Sequence, residues 1–202
     1  MAVVSTKAFT SQLVALYLLS QAVSGKCDKG VKKVQKLRQV LKRWLNRGLE
    51  QRVIALAKTL MNCADIYIIG KHLNYPAALE FALKIKETSY IHAEAFASGE
   101  LKHGVISLVD KGTPAIVLAS NNKYKKEILS SAAEIKARGG KIIGIAPFSA
   151  KEFDEVIKTP DLEELTIFAN IIVGQLLGYY LGIGRGVDPD RPRNLAKSVT
   201  VK

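Results

Sequence analysis

Lys84 and Glu87 stand three residues apart in the stretch "YPAALEFALKIKETSYIHA". On a helix that spacing puts both on one face. The plainest reading is a surface ion pair. The alternative is a carboxylate base with a cation beside it, able to remove a proton next to a carbonyl once burial brings its pKa towards working pH. Leu83, Ile85 and Ile91 could supply that burial. His103 lies in "SGELKHG", between Gly99 and Gly104. It is either ordinary polar surface or an imidazole presented rigidly by a tight turn and suited to shuttling a proton near neutrality. Lys197 lies in the C-terminal "DPDRPRNLAKSVTVK". A lysine amine that loses its proton readily forms a Schiff base with a ketone, and Arg191 and Arg193 would favour that loss. The competing reading is a tail lysine in water.

Other chemistry finds little support. His72, His92 and His103 lack metal-ligand spacing such as HExxH, and "GKHLNYP" is neither GxGxxG nor a P-loop. The segment "SNNKYKKE" offers polar groups but no anion nest. Cys27 and Cys63 make no CxxC and no disulfide framework, which suits a reduced setting. No metal and no cofactor is expected.

The net charge of +12 over 202 residues is large, and basic proteins tend to meet phosphate. The excess is local. Residues 26–52 hold ten Lys or Arg against Asp28 and Glu50. Val31, Val34, Leu37, Val40, Leu41, Trp44 and Leu45 recur there at helical spacing, so the stretch reads as an amphipathic helix with a solvated basic face. Nucleic-acid binding is disfavoured, because no aromatic is interleaved with the charges and no helix-turn-helix or RNP-like motif is present.

Two stretches imitate membrane segments. The N-terminus has an early lysine, an apolar run near Leu13–Leu19 and Ala22-Val23-Ser24 as a small-residue site, which fits a signal peptide or a buried helix equally. Residues 165–184 approach the length of a span, but Asn170 and Gln175 interrupt them, and polar groups in lipid are costly.

The elements that must position these residues alternate. Helices are expected over 5–23, 30–46 and onwards to Met61. A buried strand follows at "ADIYIIGK", then a helix opened by Pro76 and reaching about His92. "EAFASGELKHG" reads as a loop. Strands at "TPAIVLAS", "KIIGIAP" and "EVIKTP" flank a helix over 123–138 stopped by Gly139-Gly140. A long apolar helix covers 161–182, capped by Gly182, Gly184 and Gly186. Such alternation implies an α/β fold with a parallel sheet covered on both faces, and ligands beyond the carboxyl ends of its strands.

The segments "STKAFTSQ", "YPAALEFALKIKETSYIHAEAFASGELKHG" and "DPDRPRNLAKSVTVK" resemble the C-terminal, isomerase part of the glucosamine-6-phosphate synthase family, the isomerising glutamine–fructose-6-phosphate aminotransferases. The resemblance runs from about Val3 to the last residue. It implies a flavodoxin-like sugar-isomerase (SIS) domain at 48–186, preceded by a helical arm at 1–47 and followed by an active-site tail at 187–202. The arm would be the end of a first SIS domain rather than a signal peptide, and the protein cytoplasmic.

The implied roles are specific. Lys197 would form the imine with open-chain fructose 6-phosphate, and Glu87 would move the proton between carbons 1 and 2. His103 would assist ring opening across a dimer interface. Lys84 would support proton transfer, while Val3, Ser5 and Ala196 would line the sugar. The implied partners are a phosphosugar, fructose 6-phosphate or glucosamine 6-phosphate, and a second copy of the chain, with no nucleic acid and no membrane. The family's glutaminase domain and the serine-rich phosphate loop of its first SIS domain are not in this sequence, which predicts weak substrate binding. Val105 stands where the family pattern His-Gly-Pro has proline. A non-catalytic SIS module that binds a phosphosugar or dimerises is the alternative expectation.

Overall fold

The computed structural model describes residues 3–196. Three helices open the chain: α1 (Lys7–Val23), α2 (Cys27–Leu45) and α3 (Leu49–Leu60). The remainder alternates as β1 (Asp65–Gly70), α4 (Asn74–Ser89), β2 (His92–Ala97), β3 (Pro114–Leu118), α5 (Lys125–Lys136), β4 (Lys141–Ala146), β5 (Glu155–Lys158) and α6 (Thr166–Gly184). All four strand pairings are parallel, in the order β2-β1-β3-β4-β5. The expected flavodoxin-like α/β sandwich is therefore present.

The central strands explain themselves. β3 is buried at every position and β1 at all but its first residue, as expected of strands covered on both faces. One face carries Ile66, Ile68, Ile116 and Ile143 against α3, α4 and α6. The other carries Tyr67, Ile69, Val117 and Ile142 against α5 and Leu101.

The fifth strand, β2, was not expected. The helix before it ends at Ser89 because Tyr90 takes a left-handed conformation with φ 59°. Glycine usually fills that role, so the stop carries no sequence signal. The strand reads "HAEAFA", and alanine and glutamate are poor strand formers. Six register pairs with β1, from Asp65–His92 to Gly70–Ala97, override that preference. After β2 the chain forms two 3-10 turns, Ser98–His103 and Val105–Leu108.

α6 is apolar all round. With the turn before it, it is long and apolar enough to cross a membrane, yet more than half of its apolar window is buried inside the protein. Each of its polar interruptions makes one hydrogen bond, although Asn170 Oδ1 has no partner among the described residues. Asn170 Nδ2 donates to Asn74 Oδ1 at 2.9 Å, and Gln175 Nε2 donates to the Thr6 carbonyl at 3.3 Å. Gly182 is not a cap, as the spacing suggested, but an interior residue of this helix. With Gly174 and Gly178 it forms a stripe pressed against α4. A Cβ at Gly178 would lie 2.9 Å from the Lys84 carbonyl oxygen, and one at Gly182 would lie 2.4 Å from that of Thr88.

The arm is held differently. α1 buries no residue, and Leu16, Leu19 and Val23 on it are exposed. α2 buries only Gly30, Leu37 and Trp44. Lys33 anchors α2 to the 3-10 turn just before α6, donating to Glu163 at 2.7 Å and Glu164 at 2.8 Å.

Candidate active site

Close approach of α6 determines the state of the charged row on α4. Lys84 is 2% exposed, which excludes the surface ion pair. Its Nζ donates to Glu87 Oε2 at 2.6 Å and lies 3.5 Å from Glu80 Oε1. A buried ammonium needs such partners, since desolvation otherwise favours its neutral form. Glu80, unnoticed in the sequence, is 8% exposed. Burial pushes its carboxyl above the ordinary carboxylate range, against the lowering pull of Lys84. The i, i+4 spacing from Glu80 to Lys84 was the signal that could have revealed it.

Glu87 is the most exposed of the three, at 19% of its side chain. It faces a hollow of about 480 Å³, within the size range of small-molecule sites. Leu83, Tyr90 and Ile91 line the hollow from the α4 side, and Arg193, Asn194 and Leu195 close it from the tail. Ile85 and Ile91 are buried as expected, whereas Leu83 is 41% exposed because it forms part of this wall.

Tyr90 holds the tail in place. The backbone N–H of Arg193 donates to the Tyr90 hydroxyl at 2.7 Å, and the Arg193 guanidinium sits 4.2 Å from the ring centroid. Guanidinium stacking on an aromatic face adds to that hydrogen bond. The left-handed turn at Tyr90 thus ends α4 and also aims a ring at the tail. Val3 joins the same region, its N–H donating to the Asp190 carbonyl at 3.4 Å. Ser5 is half-buried just before α1, and Ala196 is exposed at the end of the described tail. Lys197 lies outside the described residues.

His103 is not brought to this hollow within one chain. It ends the 3-10 turn that follows β2, and Leu101 in that turn packs into the cluster on the α5 face. α4 packs into the cluster on the opposite face, so the sheet lies between His103 and Glu87. His103 is exposed, and Gly104 after it has φ 130°, a conformation open to glycine. Val105 starts the second 3-10 turn, a first-helical position where proline also fits.

Strand order, helices on both faces and this carboxylate hollow define a class, and comparison agrees. Residues 59–177 match the SIS domain family, and the chain belongs to that family. It is 44% identical over 213 residues to the isomerising glutamine–fructose-6-phosphate aminotransferase of Wigglesworthia glossinidia brevipalpis, covering 99% of this chain and 34% of that protein. The corresponding protein of Caldanaerobacter subterraneus subsp. tengcongensis is 40% identical over 214 residues, covering 100% and 35%. The chain therefore spans about a third of the length of these relatives. Among solved structures, the C-terminal domain of glucosamine-fructose-6-phosphate aminotransferase from Francisella tularensis superposes with TM-score 0.83 at 32% identity, covering 95% of this chain and 57% of that one. A glucosamine-6-phosphate deaminase from Thermotoga maritima shares the fold, with TM-score 0.73 at 24% identity.

Proposed function

We propose that this chain is the isomerase-side part of an isomerising glutamine–fructose-6-phosphate aminotransferase, acting on fructose 6-phosphate in cytoplasmic amino-sugar synthesis. One observation carries the reading: Tyr90 pins the C-terminal tail beside Glu87. Lys197 lies four positions after Arg193, a reach of at most about 14 Å. That distance suits delivery of the Lys197 amine to the same hollow.

In this reading Lys197 condenses with the ketone of the ring-opening sugar, forming an imine and releasing water, and hydrolysis of that imine returns the open-chain ketose. Glu87 takes a proton from carbon 1 while oxygen 2 gains one, giving an enediol. The same carboxyl then returns the proton to carbon 2 while the hydroxyl on carbon 1 loses its proton, leaving an aldose. Lys84 holds Glu87 in place and offsets charge developing on the sugar hydroxyls. Val3, Ser5 and Ala196 line the sugar. His103 assists ring opening from a second copy, because the sheet separates it from Glu87 of its own chain.

The proposed division is an arm at 1–47, an SIS unit at 48–186 and a tail at 187–202. Two observations support the first boundary. Gly48 turns left-handed with φ 73°, and α3, which follows it, buries Leu49, Val53, Leu56, Ala57 and Leu60 in the main core cluster. The exposed leucines of α1 suit docking against a first SIS domain of the longer relatives.

Incubation with fructose 6-phosphate and borohydride should fix a hexose phosphate on Lys197, read by peptide mass. If a full-length relative is trapped and this chain never is, the assignment is wrong for this chain. The separation of His103 from Glu87 favours one rival, a non-catalytic SIS module. In that case Glu87→Gln leaves every binding and kinetic property unchanged.

A further inference from the structure

An open cavity of about 510 Å³ lies far from this chemistry in the chain. It forms where the end of α2, the start of α3 and the end of β5 meet. Arg43, Arg47, Arg52 and Lys158 line it, and no acid does. Among the described residues none of these four cations has a carboxylate within ion-pair distance. Six lysines, Lys33, Lys71, Lys84, Lys102, Lys136 and Lys141, do have acidic partners; many others face water singly, and what sets these four cations apart is that they share one cavity. The α2 dipole accounts for a cation at Arg43 in the last helical turn. It does not account for Lys158, which arrives from β5, on another element.

The floor is built rather than accidental. Trp44 is 9% exposed and its indole N–H donates to the Lys158 carbonyl at 3.0 Å, fixing the end of β5 against α2. Thr159 follows, 6% exposed, and its Oγ1 has no hydrogen-bond partner among the described residues. A buried hydroxyl without a partner is costly and is normally satisfied. Val40 and Pro160 supply an apolar edge.

We propose that this cavity is a binding site for a small phosphate-bearing molecule, held by Arg43, Arg47, Arg52 and Lys158 over Trp44. Guanidinium forks match phosphate oxygens in pairs, and a phosphate relieves the repulsion among four unpaired cations. The Thr159 hydroxyl becomes a donor to the anion when the floor adjusts. The apolar edge and the indole receive whatever the phosphate is attached to. A concave pocket of this size suits a metabolite better than a nucleic-acid backbone, which is tracked by an extended groove. The site is independent of the isomerase reading.

Trp44 is the sole tryptophan of the chain, so its fluorescence reports on this cavity alone. Titration of the whole chain with inorganic pyrophosphate should give a saturable fluorescence change that weakens as salt is raised. The double variant Arg47→Ser with Lys158→Ser should raise the dissociation constant at least tenfold without moving the thermal midpoint, since both residues are exposed. Thr159→Val should weaken binding a few-fold, and Glu87→Gln should leave it intact. The proposal is overturned by no saturable change, by an equal response in the double variant, or by loss of binding in Glu87→Gln. It is also overturned if a random single-stranded oligonucleotide binds more tightly than pyrophosphate.

Discussion

Helices α2 and α4 both carry charges three and four residues apart, and the protein treats the two sets in opposite ways. On α2 the cations face water or an open cavity, and the paired Lys33 keeps 28% of its side chain exposed. On α4 the row Glu80, Lys84, Glu87 lies beneath α6, and Lys84 retains 3%. What differs is the neighbour. α2 meets a half-exposed arm helix, whereas α4 meets a glycine stripe that lets a second backbone approach to contact. Charge spacing defines a face; the neighbouring helix decides whether that face is solvent or site.

The largest effect should fall on turnover. Glu87→Gln should reduce interconversion of fructose 6-phosphate and the aldose by about 10²- to 10⁴-fold, as for loss of a general base. A coupled assay of the aldose product checks it, and unchanged turnover would remove Glu87 from the chemistry.

Stability offers a direct comparison of the two helices. Lys84→Met should cost about 3 kcal/mol in urea unfolding, because it leaves carboxylates buried without their cation. Lys33→Met breaks a more exposed pair and should cost about 1 kcal/mol or less. Equal losses would show that burial is not what separates α2 from α4.

The glycine stripe can be tested by itself. Gly182→Ala gains about 1 kcal/mol of helix propensity. It also drives a Cβ to 2.4 Å from the Thr88 carbonyl oxygen. Overpacking should win, for a net loss of about 1–2 kcal/mol. A more stable variant would mean that α6 does not bear on α4 as described.

The smallest effect concerns pH. The Glu80 carboxyl lies above its ordinary value of 4.5, chiefly through burial. An acid raised in the folded state holds its proton more tightly there than in the unfolded chain. Its contribution to stability is therefore fully present below about 4.5 and is lost as pH rises through the folded value. Glu80→Gln should abolish that decline, so the urea midpoint of the parent protein should fall relative to the variant between acid and neutral pH. Parallel profiles would show that Glu80 is not strained by burial.

Much of the frame was legible because its signals are local. β1, β3 and β4 are short runs of β-branched and aliphatic residues bounded by polar or glycine positions, and a run buried on both faces has little else to be. The spacing of Lys84 and Glu87, and the basic character of α2, were equally plain. β2 was not, since alanine-rich "HAEAFA" becomes a strand only by pairing with β1.

The amino-acid sequence by itself determined the parallel α/β frame, the family and the candidate chemistry, since these follow from hydrophobic period, residue type and motif. Tertiary structure alone decided that Lys84 is buried, that Glu80 joins it, that Tyr90 ties the tail to Glu87, and that His103 lies across the sheet. It also decided that Lys158 joins Arg43, Arg47 and Arg52 around one cavity. Each of these is a long-range contact, and such contacts depend on which surfaces meet after the chain has packed. Period and propensity report only a residue's near neighbours along the chain.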